Sequence, residues 1–95
     1  MTTITLKLHE DYFDAVKYGV KTFEIRKADR PFAVGCRLKL VRYYRTGKKT
    51  VDGRDLMEES PDYFYVVVTY ILTHEQFPSG VPEGYVALGI RRVEE

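Results

Sequence analysis

The sequence predicts a mainly β domain of the α+β class, in which a twisted sheet closes into a barrel and one short helix follows the first strand. Five segments alternate between apolar and polar residues or are rich in β-branched and aromatic residues, as strands are. Only one segment has a helical period. The 95 residues, 44% of them hydrophobic, suit a single core, so we expect one domain over residues 1–95. Barrel closure would remove the exposed edges of a short sheet.

The first strand and the helix occupy the beginning of the chain. In TITLKL, the apolar residues Ile4, Leu6 and Leu8 alternate with polar ones, which is the period of a half-buried strand. In EDYFDAVKYG the apolar residues lie three and four apart, and they are Tyr12, Phe13 and Val16. Acidic residues in the first turn suit the helix dipole, and Gly19 suits a C-terminal cap. We therefore expect a helix over residues 10–18.

The remaining strands follow in TFEIR, CRLKLVRYY, YFYVVVTYIL and YVALGIRRV. The residues expected to face inward are Phe23 and Ile25 in the first, Leu38 and Leu40 in the second, and Val86, Leu88 and Ile90 in the last. The segment 63–72 is apolar on both faces, which is typical of a central strand covered on both sides. The polar segment at about 46–62 contains the turn signals Asp52-Gly53 and Ser60-Pro61. It predicts a long hairpin insert, more mobile than the barrel.

The charge distribution is strongly uneven along the chain. Residues 17–54 contain twelve Lys or Arg against three acidic residues, which gives a net charge of +9. The rest of the chain contains three basic and eleven acidic residues, which gives −8. One interpretation is an electropositive face that binds phosphate or another polyanion. The other is two surfaces whose charges neutralise each other in the folded chain.

The stretch GVKTFEIRKADR concentrates charge on a predicted strand. Thr22, Glu24 and Arg26 share one face of that strand, spaced by about 7 Å per two residues, and Lys21 stands at its start. A guanidinium binds phosphate in a bidentate manner, and a carboxylate accepts hydrogen bonds from amino groups. These groups together suit a nucleotide. The alternative is a solvated strand face whose ion pairs contribute about 0–1 kcal/mol.

Several other features limit the function. The chain has no apolar run of the about 18 residues that a membrane span needs, and no signal-peptide pattern, so we expect a cytoplasmic protein without membrane partners. The single cysteine, Cys36, excludes an internal disulfide. His9 is a candidate helix cap, and His74 lies beside Glu75. Ligand spacing for a metal is lacking, so we expect neither a metal nor another cofactor.

The segment YFDAVKYGVKTFEIRKADRPFAVGCRLKLVRY resembles the start of an ASCH domain, a branch of the PUA-like superfamily. The shared pattern is a helix ending in Gly, then Gly-x-Lys-Thr-x-Glu-x-Arg, a Phe-x-Val-Gly turn, and a late Gly-Tyr-Val-x-Leu strand. The similarity is greatest to a small stand-alone subgroup common in phage and bacterial genomes. It covers nearly the whole chain except the insert.

The resemblance implies a five- or six-stranded β-barrel with a cleft beside the first helix. It also implies binding of RNA or of a modified nucleoside or nucleotide. The candidate ligand-binding residues are Lys21, Thr22, Glu24, Arg26, Lys27, Arg30 and Tyr85. Of these, Tyr85 lies on the late motif and is the candidate for stacking on a base.

One enzyme branch is also similar, an amidohydrolase that deacetylates N4-acetylcytidine with a Lys, a Thr three residues later and a downstream Glu. Lys21 matches the Lys, Glu24 stands in place of the Thr, and Glu75 is the candidate for the downstream Glu. A carboxylate at position 24 would pair with Lys21 and keep it protonated, which makes the lysine a poor base. Binding is therefore expected ahead of hydrolysis. A third class is a protein-interaction domain that uses the bipolar surface.

Overall fold

The computed structural model describes residues 2–94, which form one five-stranded mixed sheet and one short helix. The elements are β1 (Thr3–His9), α1 (Glu10–Lys17), β2 (Phe23–Lys27), β3 (Arg37–Lys49), β4 (Asp55–Thr73) and β5 (Tyr85–Val93). The strand order in the sheet is β1-β3-β4-β5-β2. The β1–β3 pair is parallel, and the other pairs are antiparallel. The mainly β class and the helix after the first strand are confirmed.

The expected barrel closure is wrong. Among residues 2–94, no backbone pairing joins the two edge strands, β1 and β2. The connection is instead made by a side chain, because Arg26 Nη2 on β2 donates a hydrogen bond to the Lys7 carbonyl on β1 at 2.8 Å. The Arg26 guanidinium occupies the gap between β1 and β2, where a closed barrel would have backbone hydrogen bonds.

The C-terminus of α1 follows the prediction. Gly19 has a φ of +76°, which a glycine adopts without steric cost. Its N–H donates to the Val16 carbonyl at 3.1 Å, and the Val20 N–H donates to the Ala15 carbonyl at 2.8 Å. These two bonds define a Schellman motif, which ends the helix and directs the chain toward β2.

The N-terminus and the buried face of α1 follow the prediction with one exception. His9 caps the helix, because its Nδ1 accepts a hydrogen bond from the Asp11 N–H at 3.1 Å. Phe13 and Val16 are buried against the sheet. Tyr12 was expected on the same face but is 51% exposed, because it lies at the border of this narrow apolar stripe.

The two faces of β2 are reversed relative to the prediction. Phe23 and Ile25 lie on the outer face and are about half exposed, whereas Glu24 points inward and is only 5% exposed. Glu24 is paired across the sheet with Leu88, a fully buried core residue. Alternation placed the apolar residues inside, but it could not anticipate that two cations would neutralise an inward carboxylate.

The core lies between the inner face of the sheet and α1. The strand residues expected to face inward outside β2 are buried, and they are Leu38, Leu40, Val86, Leu88 and Ile90. The central position of β4 is confirmed, but its expected cover on both sides is not. Phe64 and Val66 are buried on the inner face, whereas Tyr63 and Tyr70 on the outer face are 41% and 60% exposed. No second layer covers the outer face within residues 2–94.

The polar insert forms the long arm of the β3–β4 hairpin. Asp52-Gly53 lies in its turn, as predicted, and Gly53 has a φ of +85°. Ser60-Pro61 is not a turn but lies inside β4, opposite a shift in the pairing register with β3. A proline lacks the N–H that a regular ladder uses, so it fits at such a bulge. The higher mobility of the arm stays a prediction.

Arg45 on this arm is bonded to the first turn of α1. Its Nη2 donates to Asp11 Oδ1 at 2.8 Å, and its backbone N–H donates to Glu10 Oε2 at 2.6 Å. The hydrogen bond from Arg45 lowers the pKa of Asp11, and the same bond raises the pKa of Arg45.

The variant Arg45→Gln should raise the pKa of Asp11 toward its ordinary value, because the guanidinium no longer stabilises the carboxylate. A carboxyl group with a lowered pKa stabilises the fold above its unfolded-state pKa, and this stabilisation is lost as the pH falls through the folded-state pKa. Wild type should therefore lose more stability than the variant on acidification below about pH 4. Carboxyl-detected NMR titration of Asp11 measures the shift. Arg54→Gln, which removes the ion pair to Asp52 at the hairpin turn, is the control, and an equal pKa in all three proteins would contradict the prediction.

Candidate functional site

The buried carboxylate of Glu24 lies between two cations. Lys21 Nζ is 2.5 Å from Glu24 Oε1, and Arg26 Nε is 3.1 Å from Glu24 Oε2. Each carboxylate oxygen therefore has its own charged donor. Strand geometry predicted that Glu24 and Arg26 share one face, and the comparison with the similar enzyme branch predicted the Lys21–Glu24 ion pair.

Lys21 is held in the cluster by its backbone and its neighbours. It follows the Schellman turn of α1, and its Nζ also donates to the Phe23 carbonyl at 2.7 Å. The ammonium lies 4.6 Å from the centroid of the Phe23 ring and 5.3 Å from that of Tyr12. The ammonium thus has two hydrogen-bond acceptors and two aromatic rings around it, which is the arrangement of a structural cation.

Arg26 connects the cluster to a cavity between the two edge strands, called here the edge-strand cavity. The cavity has a volume of about 570 Å³ and lies between β1 and β2. Its charged lining residues are Lys7, Arg26, Lys27, Arg30, Asp29 and Glu59. Tyr85 and Phe32 add aromatic surface. The basic side chains outnumber the acidic ones, which suits a negatively charged ligand that also carries amino groups.

Two of these cations have no partner among the residues that the structure describes. Within residues 2–94, the basic side chains that make no ion pair, hydrogen bond or ring contact with another described residue are Lys27, Arg30, Lys48 and Arg91. Lys27 and Arg30 share the edge-strand cavity. Lys48 lies at the end of the hairpin arm, and Arg91 lies on β5. The edge-strand cavity is therefore the one place where two of these four side chains lie together.

The predicted site residues are divided between two cavities, and the expected single cleft beside the helix is wrong. A second cavity of about 480 Å³, called here the helix-side cavity, is lined by Lys21 and Thr22 and lies at the C-terminus of α1. The edge-strand cavity is lined by Arg26 and by three other candidates, which are Lys27, Arg30 and Tyr85. None of these four lines the helix-side cavity. Glu24 lines neither, because it is buried between its two cations.

The candidate hydrolase residues are not assembled. Glu75 is exposed in the turn after β4, and it neither lines the two cavities nor bonds to Lys21 or Glu24 among the described residues. Its neighbour His74 is occupied at Nδ1, which lies 2.7 Å from the Val81 carbonyl oxygen. Sequence reasoning missed Lys7 and Glu59. Periodicity along the sequence does not indicate which distant segments line the same cavity.

Residues 2–94 contain no group of three or more His, Cys, Asp or Glu side chains placed to hold a metal ion. In the same part of the chain, no helix is both long enough and apolar enough to cross a bilayer.

The fold and the site define a small, mainly β domain with a charged cluster at the junction of its edge strands. A family model described as "Domain of unknown function (DUF3850)" matches residues 3–90. The match covers nearly the whole chain, so the chain belongs to the DUF3850 family. A search of curated proteins found no match.

Removal of one cation from the Glu24 cluster should destabilise the fold strongly. Arg26→Leu leaves a buried carboxylate with a single partner, and breaking such a pair costs about 3–5 kcal/mol of unfolding free energy. Arg54→Ala removes an ion pair whose side chains are 82% and 55% exposed, and its cost should be about 0–1 kcal/mol. Urea denaturation measures both values.

A double variant distinguishes the loss of the Glu24–Arg26 ion pair from the loss of packing around Arg26. Glu24→Leu combined with Arg26→Leu removes both charges and should recover part of the stability lost in Arg26→Leu alone. If Arg26→Leu proves as mild as Arg54→Ala, the carboxylate does not depend on Arg26.

Proposed function

We propose that this domain is a PUA-like, ASCH-type module that binds RNA or a modified nucleotide, and that its ligand occupies the edge-strand cavity. The observation that carries the proposal is the pair of uncommitted cations, Lys27 and Arg30, in one cavity. Most other basic side chains are bound to carboxylates, carbonyls or aromatic rings within the protein. A cation that has no internal partner keeps its full capacity to bind a phosphate from outside.

The cavity contains a side chain suited to each part of a nucleotide. Lys27 and Arg30 suit the phosphates, Lys27 as a point charge and Arg30 as a bidentate fork. Tyr85 is the direct cross-strand partner of Lys27, so an aromatic surface lies beside a phosphate-binding group. Stacking of a base on such a ring contributes about 1–3 kcal/mol. Glu59 makes no ion pair with another described residue and can accept hydrogen bonds from a base amino group.

Arg26 has a different role in this proposal. Its guanidinium bonds to Glu24 and to the Lys7 carbonyl, so it sets the spacing between the edge strands. It positions the walls of the cavity and is a secondary contact for the ligand. The binding test therefore uses Arg30 and Lys27, whose removal leaves no buried charge unpaired.

Single-stranded RNA should bind wild type more tightly than Lys27→Ala or Arg30→Ala. Loss of one charged hydrogen bond costs about 1.5–3 kcal/mol, which is roughly a ten- to hundred-fold increase in Kd. Lys48→Ala is the matched control, because Lys48 is also uncommitted but lies on the hairpin arm. Fluorescence anisotropy of labelled oligonucleotides, with and without modified bases, at two salt concentrations measures the effect. Equal losses in all three variants would show that the cavity is not the site.

The amidohydrolase activity of the similar enzyme branch has less support. Wild type should release no acetate from N4-acetylcytidine, because the Lys21 ammonium is bound to Glu24 and Glu75 lies apart. Chromatography of cytidine formed over several hours measures this, with a blank lacking protein as control. Protein-dependent formation of cytidine that disappears in Lys21→Met would overturn the assignment of a binding module.

A further inference from the structure

We propose that the helix-side cavity is a second binding site, for a small organic anion with an apolar or aromatic body. The site is separate from the edge-strand cavity and does not depend on RNA binding. Its volume of about 480 Å³ lies within the range of about 300–1,000 Å³ typical of small-molecule sites. The inference rests on three features: the charge of the lining, its apolar wall, and the bonding of the helix end beside it.

The charge of the lining is entirely positive. Lys21, Arg91 and Arg92 contribute cations, and among residues 2–94 no acidic side chain lines the cavity. Arg91 makes no ion pair, hydrogen bond or ring contact with any other residue in the described range 2–94. Lys21 donates to Glu24 and to the Phe23 carbonyl, and an ammonium has three hydrogens, so one remains for a ligand. An anion is the only charged ligand that this lining favours.

The wall of the cavity is apolar. Val16 on α1, Val66 on β4 and Ile90 on β5 are all at least 95% buried and belong to both the core and the lining. Thr22 and Thr69 also line the cavity and can supply hydroxyl groups to a ligand. A fully hydrated inorganic ion would gain nothing from contact with the three core side chains. An anion attached to an apolar body would bury that body against them, with about 25 cal/mol gained per Å² of apolar surface.

The end of α1 would ordinarily oppose an anion here, because the C-terminal carbonyls of a helix carry partial negative charge. All four of the last carbonyls are already bonded. Their donors are the N–H groups of Tyr18 to Asp14, Val20 to Ala15 and Gly19 to Val16, and Arg92 Nη1 to Lys17 at 2.8 Å. The guanidinium of Arg92 therefore neutralises the helix end and lines the cavity at the same time.

Phenyl phosphate is the probe, and ¹H–¹⁵N NMR titration of the full chain is the measurement. Saturable shifts should appear at the amides of Thr22, Thr69 and Ile90. Benzyl alcohol, which lacks the charge, and inorganic phosphate, which lacks the apolar body, should each bind at least about tenfold more weakly. Equal binding of inorganic phosphate, or shifts centred on Lys27 and Tyr85, would overturn the proposal.

Two variants test the residues. Arg91→Gln should weaken phenyl phosphate about tenfold, because it removes the uncommitted cation, whereas Lys48→Gln should have no effect. Thr22→Trp should block the cavity and abolish the shifts, and Thr22 is exposed, so the fold tolerates the change. RNA binding by Arg91→Gln should equal that of wild type. If Arg91→Gln and Lys48→Gln bind phenyl phosphate equally, the second site fails whether or not RNA binds.

Discussion

The carboxylate of Glu24 is the constraint on which the rest of this structure depends. A buried charge is tolerated only when each oxygen is neutralised, and here Lys21 and Arg26 each take one. Lys21 can reach its oxygen because the Schellman turn of α1 delivers the chain at that point. Arg26 takes the other oxygen through Nε, and its Nη2 donates to the Lys7 carbonyl across the gap between the edge strands. The end of α1, the inward face of β2 and the gap between the edge strands are thus all linked to this one ionised group.

Most of the fold could be predicted from the sequence where periodicity and burial agree. The helix and the inward residues of β3 and β5 belong to that category, because the hydrophobic effect decides them. The glycine cap of the helix could also be predicted, because Gly19 adopts a positive φ without steric cost. β2 is the exception. Its apolar residues Phe23 and Ile25 face outward, since the ion pairs of Glu24 and the contact with Leu88 fix the opposite face. An ion pair between residues close in sequence leaves the pattern of apolar residues unchanged. The reversed faces of β2 therefore could not be predicted from periodicity.

The candidate site could be predicted only in its local part. Glu24 and Arg26 lie two positions apart on β2, and Lys21 lies just before this strand. Their proximity therefore follows from local geometry. The division into two cavities depends on which elements surround that strand. Glu59 comes from the bulged part of β4, and Arg91 comes from the end of β5. Contacts of that range depend on sheet order and register, which a single sequence does not specify.

The sheet order determines when the protein can fold during its synthesis on the ribosome. β2 is the second strand in sequence, but its only backbone partner among the described strands is β5, about sixty residues downstream. Until residues 85–89 emerge, β2 has no ladder and Glu24 has no interior in which to be buried. β1 likewise pairs with β3 across an interval that contains β2. Such non-local pairing slows folding and delays it until β5 has been synthesised. A nascent chain that stops before β5 therefore exposes the charged strand, and the two cavities form only once β5 is in place.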